Sequence, residues 1–249
     1  MLRGLYASYA GMRAMLMRQD VTASNLANAN SVGYKQDFAV IQAYPRRELT
    51  RVEGGGRTSE LGTVGDGRGG SLVGSVRTDF TQGALKETGL ATDLALEGEG
   101  FFAVRRGNET YYTRAGNFGV DGEGRLVTAR GDLVLGEDGN PLLVGGNGIE
   151  VGQDGTITVG GEARGRLMLV AFDDAAALEK VGEGLFSGEG ARPAEGLAVR
   201  QGYLEASNVD AVEQMVSMIE CFRAYESSQR MLQAQDRTLQ KLIDQVGKV

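Results

Sequence analysis

Glycine is spread so unevenly along this chain that its placement alone orders the secondary structure. Of 39 glycines in 249 residues, only Gly4 and Gly11 fall between Leu2 and Asn30, and none falls between Asn208 and Val246. Nearly all the others lie between Gly33 and Gly202. Glycine inside a helix costs roughly 0.5–1 kcal/mol relative to alanine, so the two ends are free to be helical and the middle is not. This predicts an α+β chain: N- and C-terminal helices forming a coiled-coil-like layer, with a Gly-rich, mainly antiparallel β domain between them. The expected division is a first helical segment over 1–35, an extended link over 36–75, a β-rich domain over 76–200 and a second helical segment over 201–249.

The first segment repeats in sevens. Leu2, Tyr9, Leu16 and Ala23 form one series, and Leu5, Met12, Gln19 and Leu26 the other. Their 3,4 alternation is that of a coiled-coil seam. Asn25, Asn28, Asn30 and Gly33 are helix-ending residues, which places the helix at about 3–30, with Asn28 as a polar end cap and Gly33 at positive φ. In the last segment, Ser207 or Asn208 is placed to cap a helix whose stripe runs Val212, Met215, Ile219, Phe222, Tyr225, Leu232, Leu239, Leu242 and Val246. The stripe drifts and turns polar at Ser228, Gln229 and Gln235. An isolated helix of this length is marginal in water, so each seam needs a partner. Amphipathic helices covering a globular core are the ordinary alternative. The seams instead predict an assembly interface made of Leu2, Leu5, Tyr9, Met12, Leu16, Leu26 and Asn28 together with the second-helix stripe.

In the middle, Asp121-Gly122, Asp138-Gly139 and Asp154-Gly155 are turn dipeptides between β-type residues, a strong hairpin signal. Strands are expected at 94–96, 101–105, 110–114, 117–120, 125–128, 132–135, 156–159 and 166–172. Glu53–Gly70, rich in glycine and poor in apolar residues, reads as a mobile or partner-docking loop.

The residues that carry most chemistry are missing or misplaced. Histidine is absent, and Cys221 is the only cysteine, set among Ile219, Phe222 and Tyr225 as a small buried residue. No intrachain disulfide or zinc-thiolate cage can form, and no metal or cofactor is expected. Gly65-Asp66-Gly67-Arg68-Gly69-Gly70 lacks the Lys-Ser/Thr ending of a phosphate loop, and Gly98-Glu99-Gly100-Phe101 leads into a strand. The Asp-Gly pairs lack the acidic ladder of a calcium loop, and Asp173-Asp174 reads as a turn or cap. No catalytic constellation emerges, so the chain is expected not to be an enzyme. A formal charge of −7, with Arg46-Arg47 and Arg105-Arg106 the only close basic pairs, argues against nucleic acid. No run is apolar enough for a transmembrane segment. Arg3, Ser8, Arg13, Arg18 and Asp20 interrupt any cleavable signal peptide, so export is expected to need a dedicated apparatus.

Four strings resemble flagellar basal-body rod and hook proteins, in order and over essentially the whole chain. They are Asn25-Leu26-Ala27-Asn28 with Ser31-Val32-Gly33-Tyr34-Lys35 and Phe38; Gly98-Glu99-Gly100-Phe101-Phe102-Ala103-Val104; Tyr112-Thr113-Arg114-Ala115-Gly116-Asn117-Phe118 followed by Asp121–Thr128; and Gln201–Val209 with Met218-Ile219 and Arg223-Ala224-Tyr225-Glu226. The resemblance implies a structural subunit exported unfolded through the flagellar type III apparatus. It implies stacking into a helical drive shaft in the basal body, with copies of itself and with neighbouring rod and hook-side proteins as partners. Thr22-Ala23-Ser24-Asn25, and Ala43-Tyr44-Pro45-Arg46 in place of an aromatic-rich stretch, resemble the proximal rod type more than the distal type. A secreted carbohydrate- or peptidoglycan-binding β protein and a fibre are the rival expectations, motivated by the Gly-rich strands and acidic balance.

Overall fold

In the computed structural model, residues 2–43, 47–50, 63–67, 71–145, 148–182, 184–194 and 196–246 are described. Two helices, α1 (Leu2–Ala27) and α2 (Ala211–Val246), bracket a run of short strands. The α+β reading holds, and the strands of the β domain pair antiparallel. Contacts divide the chain into two units: 1–26, 37–77 and 211–249 form one, and 27–36 with 78–210 form the other.

The second unit is the β domain. Its principal sheet runs Glu179–Gly182, Leu185–Ser187, Glu109–Thr113, Phe101–Arg106, Leu133–Val134, Leu126–Thr128, Phe118–Val120, and Leu169–Ala171 also pairs with Phe101–Arg106. Phe101–Arg106 begins with four consecutive buried residues because both of its faces are covered. Phe102 and Val104 enter a core with Leu94, Leu96, Phe118, Leu126, Val134 and Ile157, whereas Phe101 and Ala103 enter a second core with Tyr112, Val170 and Phe186. Leu94–Glu97 pairs with Ala198–Gln201, and Leu85–Glu87 pairs with Tyr203–Glu205.

The Asp-Gly turns form as expected, each aspartate accepting backbone N–H groups of its own turn: Asp121 from Glu123 and Arg125, Asp138 from Asn140, Asp154 from Thr156. Asp174 caps the short helix Ala175–Ala177 and Asp173 pairs with Arg192 at 2.6 Å, the turn-and-cap role expected of that acidic pair. The strands at Asp37–Ala43, Ser71–Thr78, Ile149–Val151, Glu162–Arg166 and Glu179–Gly182 were not anticipated. Of Glu53–Gly70, Thr63–Gly67 pairs as a strand with Arg47–Thr50, and the rest lies outside the described residues.

In the first unit, α1 and α2 run antiparallel. The missing Cβ of Gly4 faces the Gln235 amide and that of Gly11 faces the Ser228 hydroxyl. Arg18 acts electrostatically on Cys221, and Asn25 Nδ2 donates to Gln214 Oε1 at 3.4 Å. Seven residues up one helix match seven residues down the other at all four positions. The strand pair Asp37–Ala43 and Ser71–Thr78 also belongs to this unit, anchored where the Asp37 N–H donates to Asn25 Oδ1 at 2.9 Å.

Candidate functional site

The helix pair is a heptad seam, but not one made of the large apolar residues. Gly4, Gly11 and Asn25 meet Gln235, Ser228 and Gln214, all of them small or polar. Ser8, Ala14, Thr22, Asn25, Gln214 and Cys221 are buried. Burial pushes the Cys221 thiol above its usual value, with Arg18 opposing in part, so Cys221 behaves as a packed small residue.

The large apolar residues that the heptad spacing predicts for the seam lie elsewhere. Tyr9 and Leu16 are exposed, as are Val212 (71%), Met215 (51%), Ile219 (54%), Phe222 (53%) and Leu242 (38%). Leu5, Met12, Leu26, Asn28, Tyr225, Leu232 and Leu239 are half-buried, and the side chains of Leu2 and Val246 lie outside the described residues. Tyr6, Met17, Val216, Met231 and Ile243 extend the exposed apolar surface, and heptad reasoning passed over all five. Tyr6, Tyr9, Ala10, Ala14 and Met17 also line a groove closed on one side by Ser71, Leu72 and Val73. Scattered exposed apolar residues are ordinary on a protein surface, but this many on one helix pair is more than a monomer usually shows.

The second unit holds a buried charge cluster that sequence reasoning missed. Glu205 accepts from Lys35 Nζ at 2.6 Å, from the Gly83 N–H at 2.9 Å and from Arg114 Nη1 at 3.2 Å, while its carbonyl accepts from the Gly33 N–H at 2.8 Å. Lys35 and Glu205 are each 1% exposed and Arg114 is 3% exposed. Burial pushes the Lys35 ammonium below its usual range, with Glu205 pulling back, and burial acts likewise on Arg114. Three of the strings that carried the family resemblance therefore converge on one carboxylate. Gly33, at φ 64°, lets the chain pass against the Arg114–Ala115 backbone, where a Cβ would lie 2.4 Å from the Arg114 carbonyl carbon. Its expected positive φ is met for that reason.

Two expected caps play other parts. The Asn208 side chain accepts from the Gln36 N–H and donates to the Asp79 and Thr81 carbonyls, and Ser207 Oγ accepts from the Val209 N–H. Because α2 begins only at Ala211, neither residue caps it, and both fasten the strand-to-helix link instead. At the other end, Asn28 shapes the turn after α1, accepting from the Ser31 N–H and hydroxyl.

The chain matches three protein families in order. Residues 5–35 match "Flagella basal body rod protein", residues 95–159 the "Flagellar hook protein FlgE/F/G D1 domain", and residues 200–245 the "Flagellar basal body rod FlgEFG protein C-terminal". It is similar to the flagellar basal-body rod protein FlgG of Bacillus subtilis, at 32% identity over 98% of this chain and 99% of that protein. It is similar to the flagellar basal-body rod protein FlgF of Caulobacter vibrioides, at 32% identity over 98% of both chains. The flagellar hook-basal body complex protein FlhO of Bacillus subtilis is 30% identical over the full length of both.

Proposed function

The chain belongs to the flagellar basal-body rod protein family, and from that premise we propose that it is a non-enzymatic subunit of the rod that polymerises through its terminal helices. One observation carries this reading: the helices pair through small and polar residues and leave Val212, Met215, Ile219 and Phe222 facing outward. A helix pair whose own contact used the large apolar residues would have little left to offer a neighbour. Helical stacking needs two different faces on each copy, because the interface does not close on itself. The groove beside Tyr6, Tyr9 and Met17 and the stripe on α2 supply distinct surfaces within one unit. Other copies, neighbouring rod and hook-side proteins, and the flagellar export apparatus that delivers the chain are its proposed partners.

Within the rod we propose the proximal position, supported by Thr22-Ala23-Ser24-Asn25, where buried Thr22 donates back to the Arg18 carbonyl. The distal position is the second reading, favoured by relatives named FlgG at the same identity as the one named FlgF. The test replaces Ile219 and Phe222 by Asp in the encoding bacterium. The reading expects folded, exported protein that fails to join the rod, and cells arrested in assembly. Normal rods built from this double variant would refute assembly through α2. The stage at which a deletion strain stops, before or after the proximal rod, decides between the two positions.

A further inference from the structure

The side chains that two-electron oxidants attack are gathered in one part of this chain. Histidine and tryptophan are absent, and the one thiol, Cys221, is 1% exposed with its thiolate disfavoured by burial. Tyrosine gives up electrons singly and does not react with a peroxide alone. That leaves the thioethers. Of eight methionines, only Met168 falls between residues 18 and 214, and it packs half-buried against the Phe101 and Phe186 core of the β domain. Among the described residues, the three exposed methionines are all on the helix pair: Met17 (45%), Met215 (51%) and Met231 (59%).

Two of these sulfurs sit on different apolar surfaces. Met17 lines the groove with Tyr6 and Tyr9. Met215 precedes Ile219 by four residues and Phe222 by seven on α2, spacings that put the three on one side of the helix. Methionine suits such surfaces, because its flexible, polarizable side chain fits irregular neighbours. Its thioether is also the weak point. The sulfur lone pair attacks one oxygen of hydrogen peroxide, the O–O bond breaks, and the other oxygen leaves as water. Sulfur is oxidised by two electrons and peroxide is reduced by two. The product sulfoxide is polar and chiral. In the free chain water solvates the new oxygen. Against an apolar neighbour it is left without a hydrogen bond, which weakens association by about tenfold or more at each site.

We propose that Met17 and Met215 are sulfoxidation sites at which a peroxide removes the unassembled subunit from assembly and leaves its fold intact. The consequence rests on the subunit reading, whereas the choice of sites rests on exposure. The block is reversible, because methionine sulfoxide reductases restore the thioether. In the test, the full chain is treated with dilute hydrogen peroxide, and the oxygen gained at each methionine is followed by peptide mass spectrometry. Met17, Met215 and Met231 are expected to react together and Met168 about fivefold more slowly or less, with the denaturation midpoint unmoved until Met168 reacts. Met168 reacting as fast as Met17 and Met215, or unfolding in step with their oxidation, would overturn the assignment. In the encoding bacterium, brief peroxide exposure during rod assembly is expected to lower the chain recovered in rods by about tenfold. Met17→Leu with Met215→Leu should abolish that loss, each strain being compared with its own untreated culture. No loss from the unaltered chain, or equal loss from both, would sink the proposal. Met17→Gln with Met215→Gln sets a polar oxygen on the same two surfaces without any oxidant. If that variant enters rods normally while Ile219→Asp with Phe222→Asp does not, the oxidation proposal falls alone. If both enter, the subunit reading falls with it.

Discussion

The two units solve the same packing problem in opposite ways. The β domain has a core of fully buried large residues: Phe102, Leu96, Val104, Val134, Ile157 and Phe186 have no exposed surface. It even encloses a lysine, an arginine and a glutamate together. The helix pair buries Ser8, Ala14, Thr22, Asn25, Gln214 and Cys221 and shows solvent Tyr6, Tyr9, Met17, Met215, Phe222 and Met231. One unit encloses its largest apolar residues, and the other leaves many of its own exposed. The proposed subunit role would use both kinds, a body that keeps its shape and a surface open to a neighbour.

Substitutions separate the two most sharply inside the β domain. Glu205→Leu strands Lys35 and Arg114 as buried cations and is expected to cost about 3–5 kcal/mol in chemical denaturation. Phe102→Ala, which empties a site against Phe118 at 5.1 Å, is expected to cost a similar 3–5 kcal/mol. If either left the denaturation midpoint unmoved, the β domain would not be the self-sufficient partner in this comparison. Gly11→Leu forces a branched side chain toward Ser228 and is expected to cost about 1–3 kcal/mol. The loss should register as faster amide exchange in α1 and α2 with the β domain's protection intact.

A smaller effect follows from Arg106 and Asp132. The guanidinium makes two hydrogen bonds to the Asp132 carboxylate and holds it below the usual carboxylate range. The unfolded chain then binds more protons in that window, so the contribution is present above about pH 4 and lost as pH falls through the folded value. Arg106 is 39% exposed, and solvent screening limits the pair to about 1 kcal/mol or less. Asp132→Asn should lower stability at neutral pH by that amount and flatten the acid limb of a stability–pH curve. Smallest of all, Phe222→Ala is expected to change monomer stability by no more than about 0.5 kcal/mol. A larger loss in the dilute protein would mean that the α2 stripe packs within the chain.

The elements that depend on backbone preference were legible in the sequence. Glycine-poor runs marked both helices, and Asp-Gly pairs marked turns, because those signals act locally. The helix-to-helix face was not legible, since period counting weighs large apolar residues and the observed seam is Gly4, Gly11, Arg18 and Asn25. Lys35, Arg114 and Glu205 escaped for a related reason: a charged residue reads as surface until its partner is known, and these partners are far apart in the chain. The short strands Leu85–Glu87 and Tyr203–Glu205 are set by pairing with each other across the fold and leave no periodic trace.

Glu205 also times the molecule. It stands 170 residues after Lys35, and the strands Ala198–Gln201 and Tyr203–Glu205 close onto Leu94–Glu97 and Leu85–Glu87. Ring closures of that span are slow and come late in folding. While the chain emerges from the ribosome, Lys35 has no buried anion to meet until residue 205 has been added. For most of its synthesis the polypeptide lacks the piece that completes its β domain, and a chain that has not yet closed is still one that can be threaded.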